Sequence, residues 1–215
     1  MARVSLSEIA NFDELNRLVG YTVSEPYEDY YAPMQISKKK KQNRIDMAKQ
    51  LDIVFEELLI YMFEMAKDGY SEYADAYVTA SDRYREIIGQ YVDVDSYLYA
   101  HADEVIASVL AVLYRHEDDA YYYSSDRARA IAEEQANEVW NHTEYEDAVK
   151  HMRFKTWNTI MDGRERNSHA EVNGETIPID EPFELQGGML QYPGDDSMGC
   201  SDEELVNCRC SLSFS

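Results

Sequence analysis

Hydrophobic positions in the first 150 residues recur at helical spacing. One strong stripe covers Ser37–Lys67 and a second covers Leu98–Leu113, while weaker patterns cover 4–19 and 71–90. Side chains three and four residues apart share one face of an α-helix, and a wide apolar face is typical of helices that pack in a bundle. We therefore predict that the two strong stripes pack together as a helical core, and that Gly69 ends the longer helix.

Another helix is predicted between Ser124 and Lys150, with serine hydroxyls available to cap its first turn. Its apolar face consists mostly of small residues. The opposite face carries Glu134, Asn137 and Asn141, which are three and four residues apart and therefore lie together. A polar face of this kind is either exposed to solvent or in polar contact with another part of the protein, and the spacing alone does not decide between them.

The pattern changes after residue 150, where short apolar pieces alternate with turn signals. Asn173-Gly174 predicts a type I′ hairpin, because both central residues of that turn need positive φ. Phe154–Met161 and Cys210–Phe214 indicate strands, and Pro178 limits the second hairpin arm to a sheet edge. Arg164–Ala170 indicates a tight turn or a single helical turn.

Together these patterns predict an α+β chain in two parts. Residues 1–150 form a helical region, and residues 151–215 form a small module of short antiparallel strands. With 215 residues, 45% of them hydrophobic, the chain can build a core and is not of the disordered class. No apolar run approaches the roughly 18 residues of a membrane span, and the first residues lack the apolar segment of a secretory signal.

The charge balance is strongly acidic, with 42 Asp and Glu against 20 Lys and Arg and a net charge of −22. An acidic surface repels phosphate at long range, so wrapping of nucleic acid is disfavoured over most of the chain. The exception is Lys38–Lys41, for which a contact with DNA or an acidic partner competes with a simple solvated helix start. The Tyr-rich segment 21–36 favours half-buried contacts, either with another subunit or with its own domain.

The stretch from Phe154 to Cys210 carries the most specific signals. A Trp precedes a D-x-R-x-R-x-x-H run, and a Pro-Gly-Asp turn precedes a terminal N-C-R-C. The residues concerned are Trp157, Asp162, Arg164, Arg166, His169, Asp195, Asn207, Cys208, Arg209 and Cys210. This order resembles the C-terminal module of the phage Mu F-like minor head proteins, also called the phage head morphogenesis family, over roughly the last 90 residues.

The resemblance implies a minor capsid or head morphogenesis protein of a tailed phage. It implies a place inside the head near the portal, reached from the host cytoplasm during assembly, with the portal protein and inner capsid or scaffold proteins as partners. We expect the assembly contact in residues 1–150. Glu134 and Asn137 match an acidic residue and an Asn of the family's preceding helix. The resemblance therefore implies hydrogen bonds from them into the module, with Arg164 or Arg166 as candidate partners.

Charge-assisted hydrogen bonds can hold loops in place in a module with little apolar area. In a strand, Cys208 and Cys210 face one side and Arg209 the other, which leaves Arg209 free to pair with Asp162 or Asp195. We therefore expect a structural clasp. Its members are Glu134, Asn137, Trp157, Asp162, Arg164, Arg166, Asp195, Asn207 and Arg209.

All three cysteines lie in the last 16 residues and do not form a disulfide framework. His169, Cys200, Cys208 and Cys210 supply one imidazole and three thiols, a ligand set suited to Zn²⁺. A close branch of the resembled family carries C-x-x-C where this chain has Arg166 to His169, which implies metal positions at His169, Cys208 and Cys210. The other interpretation is a set of small buried cysteines beside hydrogen-bonded His169 and Arg166.

The alternative from another class is a small effector enzyme, a nuclease or transferase that uses the Asp-Arg-His cluster. Asp162, Arg164, Arg166, His169 and Asp195 supply suitable residue types. No spacing here matches a catalytic motif, and a Cys-His nucleophile lacks an identifiable oxyanion donor. We expect a protein without catalytic residues that acts by binding.

Overall fold

The computed structural model describes residues 6–19, 26–68, 74–115 and 119–215. Helices dominate up to residue 148: α1 (Phe12–Val19), α2 (Tyr27–Tyr31), α3 (Lys38–Asp68), α4 (Ala74–Ile88), α5 (Ser96–Tyr114) and α6 (Ser125–Ala148). Short strands and helices follow: β1 (Phe154–Asn158), α7 (Asn167–Glu171), β2 (Thr176–Pro178), β3 (Phe183–Leu185), β4 (Gly188–Leu190), α8 (Asp202–Leu205) and β5 (Ser211–Phe214). The predicted α+β class is confirmed.

Side-chain caps set the starts of the three longest helices. Ser37, Asp95 and Ser124 precede α3, α5 and α6, and each side-chain oxygen accepts a hydrogen bond from a backbone N–H of the first turn, at 3.3, 2.8 and 3.3 Å. Such a bond satisfies one of the four N–H groups that a helix start leaves unpaired. The starts predicted at Ser37 and Ser124 are therefore confirmed, while the predicted end at Gly69 lies outside the described residues.

The chain divides into two compact units. The first unit contains the described residues before 26 together with Met47–Ala132, and the second contains Pro26–Asp46 together with Glu133–Ser215. The second unit thus holds the predicted module and, in addition, α2, the first turns of α3 and most of α6. The predicted domain boundary at residue 150 stays a prediction.

Apolar faces of α3, α4 and α5 form the core of the first unit. α5 lies closest to α4. Tyr84 of α4 meets Phe55 of α3 and His101 of α5, with ring centroids 6.1 and 6.5 Å apart. Both predicted stripes are buried, including Leu58, while their direct contact with each other stays a prediction. None of the described helices combines the length and apolar character needed to cross a membrane.

The central strand of the second unit is β1. It pairs antiparallel with β2 on one side and with β5 on the other, so that Lys155 lies opposite Ile177 and Phe214. β3 and β4 form a separate antiparallel pair. Pro178 ends the edge strand β2, as expected for a residue with no N–H to offer a ladder.

The hairpin predicted around Asn173-Gly174 is wrong. Of the two residues only Gly174 has positive φ, +82°. The residues before them belong to α7, and β2 pairs with β1 instead. Asn173 uses its side chain, whose Oδ1 accepts a hydrogen bond from the backbone N of Thr159 at 2.9 Å. The Asn-Gly pair therefore joins a helix to a strand and fixes the loop that follows β1.

Part of the Tyr-rich segment is helical although it contains two prolines, because α2 covers Tyr27–Tyr31. Tyr31 is fully buried, and its hydroxyl donates a hydrogen bond to the carbonyl oxygen of Glu133 at 2.8 Å. This tyrosine therefore serves its own unit and not another subunit. Tyr21, which belongs to the same predicted segment, lies outside the described residues.

Candidate functional site

Trp157 organises the site from the centre of the sheet. It is fully buried on β1, and its indole meets the imidazole of His169 edge-on, with centroids 5.5 Å apart and an interplanar angle of 82°. Its Nε1 donates to Oγ1 of Thr159 at 3.0 Å, and that hydroxyl donates to the carbonyl oxygen of His169 at 2.7 Å. These contacts fix α7, which carries His169.

His169 faces two thiols. Its Nδ1 lies 3.3 Å from Sγ of Cys210 and 3.7 Å from Sγ of Cys208. All three side chains are buried, and their ligand atoms lie within 4.8 Å of one another. The alternation around Arg209 places both thiols on the same side. The structure thus brings together three of the four residues predicted as metal ligands.

Cys200 lies outside this cluster. It is buried beside β4, where a Cβ placed on Gly188 would stand 3.3 Å from its Sγ. Burial raises the pKa of the Cys200 thiol, so it is a packed thiol and not an activated one.

Glu204 of α8 occupies the opposite side of the imidazole. Its Oε2 is 3.1 Å from Nε2 of His169, although the ring N–H is not well aligned with it. The buried carboxylate also accepts hydrogen bonds from Oγ of Ser168 at 2.7 Å and from N of Gly187 at 3.0 Å. Sequence reasoning missed Glu204, because it is the third acidic residue in a row at a helix start and only the fold distinguishes it.

The two clustered thiols hold charge unequally. The hydrogen bond from Cys208 lowers the pKa of Cys210 well below its ordinary value, although burial acts in the opposite direction. The same bond, with burial, raises the pKa of Cys208 well above its ordinary value. The two thiols are therefore not equivalent: Cys208 is the donor and Cys210 the acceptor in the bond between them.

Asp162 pairs with two arginines. Arg209 donates to both carboxylate oxygens at 2.9 and 2.7 Å, and Arg164 donates twice to Oδ2 at 3.2 and 3.0 Å. These bonds hold the pKa of Asp162 well below its usual range, and the bonds from Arg209 contribute most. Of the two partners that the sequence leaves open for Arg209, the structure gives it Asp162. The loop after β1 is thereby tied to the end of the chain.

Asp195 is fully buried and stabilises a turn. Its Oδ2 accepts a hydrogen bond from N of Gln191 at 2.7 Å, and its Oδ1 accepts bonds from N and Oγ of Ser197 at 3.0 and 2.5 Å. Gly194, just before it, has a φ of +92°, which a glycine adopts without strain. The turn presents the carbonyl of Pro193 to α6.

Two asparagines of α6 hold the N-C-R-C segment. Nδ2 of Asn137 donates to the carbonyl oxygens of Cys208 and Cys210, and Nδ2 of Asn141 donates to those of Cys210 and Pro193, all at 3.1 Å. Asn137 therefore bonds to the backbone of the module and not to the arginines that the resemblance implies. A buried amide that pairs with carbonyls fixes the path of the chain.

Glu134 and Arg166 hold the residues just before the cysteines. Oε1 of Glu134 accepts a hydrogen bond from N of Asn207 at 2.8 Å, and the guanidinium of Arg166 donates to the carbonyl oxygen of Val206. Asn207 has a φ of +56°, a left-handed conformation that Asn tolerates better than most residues. These contacts shape the bend that delivers the two thiols.

Arg44 completes this network, and sequence reasoning missed it. Its side chain is fully buried; Nε donates to Oδ1 of Asn137 at 3.0 Å, and the terminal nitrogens donate to Oδ1 of Asn141 at 3.1 Å and Oε1 of Glu144 at 3.0 Å. The sequence groups Arg44 with the neighbouring lysines. A signal was present, because Arg44 lies three and seven residues before Met47 and Leu51 and so shares their buried face.

The lysine run is partly used inside the same unit. Nζ of Lys40 donates to Oε2 of Glu144 at 2.8 Å, and Lys41 donates to the carbonyl oxygen of Ala32. Lys38 and Lys39 are exposed. Two lysines rather than four are therefore free to contact DNA or an acidic partner.

Lys155 is a second buried cation that the sequence did not reveal. Its Nζ donates to the carbonyl oxygen of Gln191 at 2.8 Å and to Oε1 of the same residue at 2.5 Å, and lies 4.8 Å from the ring centroid of Tyr145. Burial lowers the pKa of Lys155 to about 8. The available signal was its spacing of two from Trp157, which puts both on the inner face of β1.

The order of thiol, imidazole and carboxylate in Cys210, His169 and Glu204 has the residue types of a nucleophilic site. Both Cys210 and His169 are buried, however, and the adjoining cavity, which Arg164 and Arg166 also line, measures about 20 Å³. That volume holds a water molecule and no substrate group. The arrangement is suited to packing or to binding an ion.

Known proteins resemble most of the chain. A family described as "Phage Mu protein F like protein" matches residues 74–213, a range that contains the whole site except Arg44. Minor head protein GP7 of Bacillus phage SPP1 is 35% identical over 71 residues, which make up 32% of this chain and 22% of that protein. The aligned part thus spans less than a quarter of that relative. No solved structure matches the chain.

Proposed function

We propose, from the premise that this chain belongs to the phage Mu protein F-like family, that it is a minor head protein of a tailed phage. The match over residues 74–213 carries the proposal. The similarity to a minor head protein agrees with it over the part that aligns. The protein acts in head assembly by binding.

The geometry of the second unit supports binding over catalysis. Its motif residues bond to one another: Asp162 pairs with Arg209, and Asn137 holds the backbone beside Cys208 and Cys210. Polar groups engaged in this way stabilise loops and are not presented to a substrate. These bonds make the module a stably folded unit that can be incorporated into a larger assembly.

The partners in this proposal are the portal protein and inner capsid or scaffold proteins. In this proposal the protein lies inside the head near the portal, which it reaches during assembly in the host cytoplasm. The contact is assigned to residues 1–150, where Lys38 and Lys39 are exposed. In the first unit, Ile53 and Val78 are more than half exposed, and exposed apolar side chains favour contact with another protein.

Incorporation into heads tests the proposal. Heads purified from cells that express the full chain with the capsid and portal genes of the same phage should contain it at a fixed ratio to the portal protein. The double variant Ile53→Asp and Val78→Asp should lower that ratio. Met198→Asp, at an exposed position of the second unit, is the matched control. Heads that lack the wild-type chain would contradict the function, and an effect of the control alone would move the contact to residues 151–215.

A small effector enzyme is the second candidate. The observation that favours it is that Arg164, Arg166 and Arg209 lie beside His169 at the surface of the module, because guanidinium groups suit a phosphate. Incubation of the purified protein with plasmid DNA and Mg²⁺ tests it. Nicking by the wild type that His169→Ala abolishes would replace the binding function.

We also propose Zn²⁺ as a cofactor, bound by Nδ1 of His169 and Sγ of Cys208 and Cys210. In a tetrahedral zinc site, the zinc–nitrogen bond is about 2.0–2.1 Å and the zinc–sulfur bond about 2.3 Å. These bonds place a nitrogen ligand and a sulfur ligand about 3.6 Å apart. The distances of 3.3 and 3.7 Å fit that requirement. The cavity of about 20 Å³ leaves room for a water as the fourth ligand.

Elemental analysis of protein purified without chelator or His tag tests the cofactor. About one zinc per chain is expected, lost in Cys208→Ser and retained in Cys200→Ser, whose thiol is buried but lies outside the cluster. Metal-free wild-type protein would remove the cofactor from the proposal. Loss of zinc in Cys200→Ser would restore Cys200 to the ligand set.

A further inference from the structure

We infer that Glu204 determines which nitrogen of His169 binds the metal. Its carboxylate holds the proton of the neutral imidazole on Nε2 and so leaves the lone pair of Nδ1 directed at the two thiols. This inference rests on the proposed zinc site and adds a positioning residue to it. Neither the sequence pattern nor the resemblance points to Glu204.

The imidazole stands between two different kinds of partner. Nδ1 faces Sγ of Cys210 and Cys208 at 3.3 and 3.7 Å, and Nε2 faces Oε2 of Glu204 at 3.1 Å. A neutral imidazole carries one proton, and the nitrogen that keeps the proton cannot bind a metal. Oε2 of Glu204 is a hydrogen-bond acceptor at that distance, so we place the proton on the nitrogen that faces Glu204. Carboxylates placed in this way are common behind metal-binding histidines.

Glu204 offers the buried Nε2 an acceptor at 3.1 Å. His169 is 2% exposed, and among the described residues Nε2 is one of the few buried side-chain nitrogens without a hydrogen bond of good geometry. An unpaired N–H in such a place is costly.

The surroundings of Glu204 hold it in position for this role. Oγ of Ser168 donates to Oε2 at 2.7 Å, and N of Gly187 donates to Oε1 at 3.0 Å. Hydrogen bonds to both oxygens fix the carboxylate in place beside the imidazole. Position 187 must stay free of a side chain, because a Cβ there would lie 2.6 Å from Cγ of Glu204 and 2.3 Å from Oγ of Ser201.

Zinc titration of the metal-free protein in competition with a chelating dye measures the contribution of Glu204. Glu204→Gln should lower the affinity for Zn²⁺ about 10- to 100-fold, the usual effect of losing such a partner. Glu203→Gln is the matched control, because Glu203 is the preceding acid of α8 and is exposed. Its affinity should equal that of the wild type.

Nitrogen-15 NMR of His169 reports the tautomer directly and does not depend on any variant folding. Wild-type protein should carry the proton on Nε2 both with and without zinc, and Zn²⁺ should shift the Nδ1 resonance. A wild type that binds no zinc removes the metal site. Zinc bound through Nε2, or bound equally tightly by Glu204→Gln, overturns the role of Glu204 and leaves the metal site standing.

Discussion

The two compact units are stabilised by different kinds of side chain. The first unit buries mainly apolar residues, such as Phe55 and Leu59 of α3 and Ile106 of α5. The second unit also has an apolar cluster around Trp157, but it completely buries Arg44, Lys155 and Asp195 as well. Burial of apolar area is non-directional and roughly proportional to area, whereas each buried charge needs its own partners. The packing of the second unit is therefore more specific, and a substitution of a single residue destabilises it more easily.

Arg44 shows how complete such partners must be. It donates to Asn137, Asn141 and Glu144 and to the carbonyl oxygen of Lys40, so each of its three nitrogens has an acceptor. A buried ion pair adds little compared with apolar residues of the same volume, but removal of one partner leaves the other groups unsatisfied. The stability of the second unit is therefore concentrated in a few positions.

The largest expected effect comes from Arg44→Met. The substitution keeps much of the side-chain volume but strands two amide oxygens and a carboxylate, and it should lower the free energy of unfolding by roughly 3–5 kcal/mol. Urea unfolding followed by circular dichroism measures it. Arg17→Met is the control, since Arg17 pairs with Glu14 at the surface and such pairs contribute at most about 1 kcal/mol. A loss below that of the control would mean that the polar network is not stabilising.

In the first unit, Leu58→Ala should have the next largest effect. Leu58 is 4% exposed, and a large-to-small change in a core costs roughly 2–5 kcal/mol through lost burial and the cavity left behind. Ile53→Ala, five residues earlier on the same helix and 54% exposed, should stay within about 0.5 kcal/mol of the wild type. Equal losses in both variants would show that α3 is not packed as described.

The contrast between the units also explains what the sequence predicts. Hydrophobic periodicity finds α3 and α5, because it depends on residues three and four positions apart. Alternation around Arg209 likewise predicts that Cys208 and Cys210 share a side. The Asn173-Gly174 hairpin fails, because local turn preference yields to the pairing of β2 with β1.

The polar core escapes prediction for a physical reason. Arg44 and its partner Asn137 are 93 residues apart, and Lys155 and Gln191 are 36 apart. Local spacing can place such a residue on a buried face, but it does not reveal the distant partners that burial of a charge requires, and charged residues are rarely buried. Glu204 differs from Glu203 only through the position of His169, which the fold alone determines.

The last prediction uses pH to compare Lys155 with an ordinary lysine. An unfolded lysine keeps its proton up to about pH 10.4, whereas burial lowers the pKa of Lys155 to about 8. Between these values the unfolded state binds more protons, so the free energy of unfolding rises with pH. Relative to Lys155→Met, the wild type should therefore gain roughly 1–2 kcal/mol between pH 8 and pH 10, at about 1.4 kcal/mol per pH unit at most.

Comparison with Lys155→Met at each pH cancels the contribution of the other titrating groups, among them the buried tyrosines. Lys150→Met is the matched control, because its side chain is in solvent. Urea unfolding at half-unit steps of pH gives the free energy of unfolding against pH for the wild type and for each variant. Parallel curves for wild type and Lys155→Met would mean that Gln191 and the ring of Tyr145 fully replace water around the ammonium group. Burial of this cation in the second unit would then carry no desolvation penalty. In that respect the polar core of the second unit would resemble the apolar core of the first.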